Sequence, residues 1–144
     1  MKNFVYLAGP MEDCTERRMT AWRLLAAERL KKNDINSLDP TRRIPFHDEL
    51  YLGEKHKPVQ SACRRIFKMD MQDIANSSVV LADIRRDSGR GTGTAMELMF
   101  AHMKNKIIIL WAEEDDLIHP FYESIYTEKY FELDDCLEAI TYYY

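Results

Sequence analysis

The stretch Ile107-Ile108-Ile109-Leu110-Trp111 is apolar at every position. A strand with one face in water alternates apolar with polar side chains. Five apolar residues in a row instead suit a strand covered on both faces, as in a parallel sheet between two layers of helices. Upstream, Thr94 to Lys104 has the composition of a helix, and Arg85 to Gly93 is a polar, glycine-rich turn. That turn follows Val79-Val80-Leu81-Ala82, another short apolar run, which ends at Asp83. Val59 to Asn76 carries Ile66, Phe67, Met69, Met71 and Ile74 at mixed three and four spacings, which predicts a helix. At the start of the chain, Phe4 to Ala8 is a brief apolar run stopped at once by Gly9-Pro10, a strand entering a turn. Thr15 to Lys32 then places Met19, Trp22, Leu25, Ala26 and Leu30 at helical spacing among Arg, Lys and Glu.

The remaining segments carry weaker signals. Ile35 to Leu38 reads as a short strand ending at Asp39-Pro40. Thr41 to Pro58 holds prolines, histidines and charges without periodicity, so it is either a substrate cover or an ordinary mobile connection. After an acidic turn at Glu113 to Asp116, Tyr130 to Leu133 predicts a fifth strand. Asp134 to Tyr142 predicts a last helix capped by Asp134 or Asp135. Alternating strands and helices predict one α/β domain spanning residues 1–144. Its core is an open, doubly wound, flavodoxin- or Rossmann-like sheet of about five parallel strands with helices on both faces. Such sheets bind ligands at the carboxyl ends of their strands, here after Ala8, Asp39, Asp83 and Trp111.

Composition narrows the function. The 144 residues are 46% hydrophobic and 31% charged, which is enough for one real core and too little for two ordinary domains. A net charge of −4 argues against a nucleic-acid polymer as partner, because such binders usually carry a net positive field. Cys14, Cys63 and Cys136 form no Cys-x-x-Cys pair, so neither a zinc site nor a disulfide framework is expected, and a reducing cytoplasm is the natural setting. His47, His56, His102 and His119 lack ligand spacing, and neither a metal nor a cofactor is expected. The apolar run at the N-terminus is too short for a leader or a membrane span, so a soluble protein without a membrane partner is expected.

Three features could carry chemistry. Gly91-Thr92-Gly93-Thr94-Ala95-Met96-Glu97-Leu98 lies between a strand and a helix, where glycines admit a ligand close to the backbone and the helix start favours an ionised Glu97. The same spacing also fits a capping box, with Thr94 as N-cap and Glu97 three residues on. It fits neither the dinucleotide fingerprint nor a Walker loop. Asp70, Asp73 and Ser77 share one face of the Val59–Asn76 helix, a pattern equally suited to a solvated face. Tyr6 stands in an otherwise apolar strand two residues before its end, so its hydroxyl either reaches the ligand crevice or finds a buried partner.

Taken together, Tyr6-Leu7-Ala8-Gly9-Pro10, Asp70-Met71-Gln72-Asp73-Ile74 leading into Val79-Val80-Leu81, and Gly93-Thr94-Ala95-Met96-Glu97-Leu98 resemble the nucleoside 2-deoxyribosyltransferase family, in the same order and over most of the chain. That family includes deoxynucleoside 5′-monophosphate N-glycosidases. The resemblance implies a five-stranded parallel α/β sheet, with Glu97 as nucleophile, Asp70 assisting proton transfer to the base and Tyr6 orienting the nucleophile. It implies attack of Glu97 on C1′ of a 2′-deoxynucleoside or its monophosphate, a covalent deoxyribosyl ester, and transfer to another base or to water. An anionic Glu97 would push the Asp70 pKa upward into the acid role. Gly9, Asp39, Arg90, Gly91, Thr92 and Gly93 are the expected substrate-binding residues.

Relatives acting on free nucleosides commonly carry an acid just before the glycine turn, and the monophosphate hydrolases a serine. This chain has Gly91 and Thr92 beside Arg85, Arg86 and Arg90, which favours a nucleotide, with Arg42 and Arg43 as further phosphate candidates. The resemblance also implies a homo-oligomer with shared active sites. His119-Pro120-Phe121-Tyr122 is then expected at a subunit contact, and the aromatic end Tyr142-Tyr143-Tyr144 in an interface near the base site. The competing reading from another class is a nucleotide sensor that binds without cleaving. A flavin carrier is disfavoured by the missing phosphate loop.

Overall fold

The computed structural model describes residues 3–11, 14–43, 60–86, 91–114 and 118–144. The chain runs β1 (Phe4–Ala8), α1 (Glu16–Lys31), β2 (Asn36–Leu38), a 3-10 turn (Pro40–Arg43), α2 (Gln60–Asn76), β3 (Val79–Asp83), α3 (Thr92–Met103), β4 (Ile107–Trp111), α4 (Pro120–Ile125), β5 (Glu128–Tyr130) and α5 (Leu133–Thr141). The described strands form one sheet in the order β2-β1-β3-β4-β5, every pair parallel. The expected doubly wound α/β sheet is therefore present. In this order the winding reverses between β1 and β3, which opens a crevice at their carboxyl ends.

The pleat divides the core in two. Val5 and Leu7 of β1, Val79 and Leu81 of β3 and Ile109 of β4 pack against Trp22, Ala26 and Leu30 of α1 and against α5. Tyr6 and Ala8, Val80 and Ala82, and Ile108 and Leu110 point the other way, toward Ile74 of α2 and Leu98 and Ala101 of α3. Both faces are covered, which is why β4 is apolar throughout: Ile108, Ile109 and Leu110 are fully buried. At about 25 cal/mol per Å² of apolar surface, these two layers supply the main force for folding.

Several local expectations change. The helix expected from Thr94 starts two residues earlier, with Gly91 at its N-cap and no side chain capping it. Thr94 is thus the third helical residue and Glu97 lies in the second turn, so the capping-box reading does not hold. The fifth strand is Glu128–Tyr130, upstream of the Tyr130–Leu133 segment expected. The last helix has Glu132 at its N-cap, while Asp134 and Asp135 lie inside its first turn, where they favour the positive dipole end. Helix α4 was missed, although Pro120 at its first position and His119, whose Nδ1 accepts the Phe121 amide at 3.1 Å, are both start signals. Leu25, expected in the core, is 46% exposed, while its neighbour Arg23 is fully buried. Most of the Thr41–Pro58 segment lies outside the described residues.

Candidate active site

Strand β1 delivers Tyr6 to the α2–α3 side of the sheet, completely buried, beside Val80 of β3. The second turn of α3 delivers Glu97, three residues after buried Thr94 and directly before buried Leu98, so it shares the inward side of the helix. Glu97 as a residue is only partly buried, but its Oε2 is enclosed. The hydroxyl of Tyr6, the hydroxyl of Thr94 and Glu97 Oε2 are buried with no hydrogen-bond partner among the described residues. Buried polar atoms are nearly always paired, so orphans gathered at the carboxyl edge of a sheet mark a site for a ligand. Glu97 Oε2 therefore does not cap its own helix.

Electrostatics bind these groups together. Burial raises the Glu97 carboxyl from its ordinary value near 4.5 to about 8. The Asp70 charge pushes the same way, whereas the Tyr6 hydroxyl and the Arg23 charge pull it down. Tyr6 is pushed well above its usual range, by burial first and then by the Glu97 and Asp70 charges. The two side chains lie close enough to shift one another's titration, although no hydrogen bond of ordinary geometry joins them. The charge of Asp70, half-buried on α2, acts on both Tyr6 and Glu97. The sequence reading expected Glu97 to be held ionised by the helix start. Its place one turn further in, under cover, reverses that.

The expected substrate-binding residues divide. Gly9 lies where the chain leaves β1, and a Cβ there would sit 3.1 Å from both Arg23 Nη2 and Trp22 Cζ2, so close packing inside the protein requires glycine. Asp39 turns inward: its Oδ1 accepts the Thr41 amide at 2.8 Å and the Thr41 hydroxyl at 2.6 Å, and lies 3.9 Å from Arg23 Nε. Gly91 and Thr92 stand at the start of α3, and a Cβ on Gly93 would meet nothing within 4 Å among the described residues. Internal packing does not demand glycine at Gly93. Arg90 lies outside the described residues. Of the other arginines considered for a phosphate, Arg42 donates to Asp73 Oδ2 at 2.5 Å. Arg85 is forked onto both Asp83 oxygens at 2.9 Å and stacks 3.5 Å over the Trp111 ring.

One residue escaped the sequence reading, and another was expected only at a subunit contact. Arg23 was passed over as one of the polar residues of an amphipathic helix, and only its place between Trp22 and Leu24 hinted otherwise. Tyr122 of α4 approaches the glycine turn of its own chain, since a Cβ on Gly91 would lie 3.5 Å from its hydroxyl. The aromatic end does not reach this pocket. The Tyr144 hydroxyl donates to the Phe4 carbonyl at 2.6 Å, at the amino end of β1, and Tyr143 donates to Glu128.

The fold is that of a flavodoxin-like α/β protein, with a buried tyrosine and a covered carboxylate oxygen on the α2–α3 side of its parallel sheet. A profile of the nucleoside 2-deoxyribosyltransferase family matches residues 5–133, and the chain belongs to that family. Among solved structures, the 2-deoxyribosyltransferase of Bacillus psychrosaccharolyticus is similar, with TM-score 0.70 and 19% identity over 92% of this chain and 88% of that one. The Clostridium botulinum CMP N-glycosidase BcmB has TM-score 0.59 and 13% identity over 98% and 99%. The 2-deoxyribosyltransferase of Leishmania mexicana has TM-score 0.52 and 19% identity over 76% and 64%. No curated protein matches the chain. The family and these fold relatives are enzymes, and this chain is an enzyme of the same class, whose chemistry is deoxyribosyl transfer or N-glycoside cleavage. No helix among the described residues is long and apolar enough to cross a membrane.

Proposed function

We propose that the chain acts as one domain that cleaves the N-glycosidic bond of 2′-deoxynucleosides or their 5′-monophosphates and passes the deoxyribosyl group to another nucleobase, through a covalent ester on Glu97. The observation that carries this reading is the enclosed, unpartnered Glu97 Oε2 facing the unpartnered Tyr6 hydroxyl. Glu97 attacks C1′ as the bond from C1′ to the base nitrogen breaks, and a proton reaches the departing nitrogen from Asp70. A nitrogen of the incoming base then attacks C1′, the ester bond breaks, Glu97 leaves as carboxylate and the acceptor gives up a proton. Two displacements at one carbon retain its configuration.

The reactive form is the carboxyl pair with one proton between its members. With Glu97 near 8, about a tenth of its carboxyls are ionised at pH 7 in the free protein, and moving the shared proton to Asp70 arms the nucleophile. Tyr6 favours that transfer by donating toward the ionised form. Hydrolysis differs only in letting water take the place of the acceptor base. The engagement of Arg42 with Asp73 and of Arg85 with Asp83 leaves the preference for a phosphorylated substrate resting on the other candidates, Arg43, Arg86 and Arg90. The three thiols suit a reducing cytoplasm.

Incubation with deoxynucleosides and deoxynucleoside monophosphates, with and without an acceptor base, tests the proposal. Free or exchanged base is expected from at least one class. Glu97→Ala should reduce it at least about a thousandfold, as loss of a covalent nucleophile does. Undiminished release from that variant would remove the covalent route. Tight nucleotide binding with no base released by the wild type would favour the sensor.

A further inference from the structure

We propose that Arg23 is a positioning residue for this site: from α1 it clamps the carboxyl end of β1, where Tyr6 stands, and holds a fixed positive charge behind the Glu97 carboxylate. The proposal rests on the reading of Glu97 given above. Arg23 is fully buried, one of the bulkiest side chains that is. Such a charge is costly to bury without a full set of partners. Its partners are specific. Nε donates to the Leu7 carbonyl at 3.1 Å, Nη2 to the Gly9 carbonyl at 2.8 Å and Nη1 to the Met19 carbonyl at 2.6 Å, while the guanidinium lies 4.9 Å from the centre of the Trp22 ring.

Two of those carbonyls flank the last turns of β1, one directly after Tyr6 and the other where the strand ends. The backbone that sets the height of the Tyr6 ring is thus fastened from the opposite face of the sheet. Gly9 belongs to the same device, because any side chain there would strike Arg23 Nη2.

The charge reaches the site. Glu97 is faced by Tyr6 from β1, Asp70 from α2 and Arg23 from α1. Arg23 is faced by Asp39, its nearest carboxylate at 3.9 Å, and by Tyr6, Glu97 and Asp83. Asp39 cancels only part of the field, because its Oδ1 is shared with the Thr41 amide and hydroxyl. The remainder favours the ionised form of Glu97, which is the form the first displacement needs.

Direct titration of Glu97 by carboxyl 13C NMR, assigned with Glu97→Gln, tests this without depending on turnover. Arg23→Met should raise the Glu97 midpoint by about one pH unit and lower kcat about tenfold with little change in KM, and Arg23→Lys should restore most of both. A folded Arg23→Met protein whose Glu97 titrates as in the wild type would overturn the proposal. Should Arg23→Met fail to fold, Asp39→Asn decides: it keeps the guanidinium but removes its nearest counter-charge, so the Glu97 midpoint should fall, and an unmoved midpoint overturns the proposal. Base release by Glu97→Ala is a separate measurement. Its persistence would defeat the covalent route and leave the titration result standing.

Discussion

Among single residues, Tyr6 and Glu97 are coupled by their buried polar groups. Burial raises the pKa of both, and each senses the other's charge. The Tyr6 hydroxyl favours the ionised carboxylate, so Tyr6→Phe should raise the Glu97 pKa above about 8. The sign of the rate effect follows from the proton count. The active pair holds one proton, so kcat/KM should fall as pH rises through about 8, and in Tyr6→Phe that descending limb should move to higher pH while kcat drops about tenfold or more. A pH–rate profile from 6 to 10 measures both. A limb that stays in place would separate Tyr6 from the titrating glutamate. Tyr6, Asp70 and Glu97 could each be singled out in the sequence by motif. Arg23 could not, because a cation beside Trp22 on an amphipathic helix looks the same whether it faces water or a strand's carbonyls.

At the scale of elements, the crossing of α1 over the end of β1 fixes the site's floor. Trp22 packs edge-on to Trp111 of β4, with ring centres 6.0 Å apart, and Arg23 reaches past it to the carbonyls of β1. Gly9 is the gap that lets α1 approach. Both neighbours of a Cβ at Gly9 stand at 3.1 Å, and Arg23 is held by three hydrogen bonds and cannot yield cheaply. Gly9→Ala should therefore cost about 1–3 kcal/mol, seen as a melting temperature lowered by several degrees. Unchanged melting would mean that α1 shifts freely. The start of α3 matters for the opposite reason. Among the described residues, no side chain caps the helix at Gly91 and nothing lies within 4 Å of a Cβ placed on Gly93, so packing there does not require glycine.

For the molecule as a whole, exposed apolar surface points to assembly. Met96, Met99 and Met103 recur at three and four spacing along α3, between 47% and 70% exposed, and Phe67 of neighbouring α2 is 48% exposed. Such a stripe is unusual on a monomer's surface, and it lies on the helix that carries Glu97. The protein is expected to be a homo-oligomer through this face. Light scattering should give a dimer or larger, and Met99→Glu with Met103→Glu should dissociate it and reduce activity. A fully active monomeric wild type would contradict shared sites. The C-terminal tyrosines, expected in an interface near the base, are exposed in the single chain, where Tyr144 bonds to the amino end of β1 and Tyr143 to Glu128. By itself the sequence determined the alternation of strands and helices and the parallel sheet, because periodicity and turn chemistry are local and each strand's burial is written in its own composition; Tyr6, Asp70 and Glu97 were singled out by their resemblance to a family. Only the tertiary structure decided that Glu97 is a covered carboxyl in the second turn of α3, that Asp39 and Gly9 support the frame from within, and that a buried arginine is bonded to the end of β1. Burial, charge coupling and close approach depend on which residues the fold brings together from distant parts of the chain, and no short stretch of sequence records that.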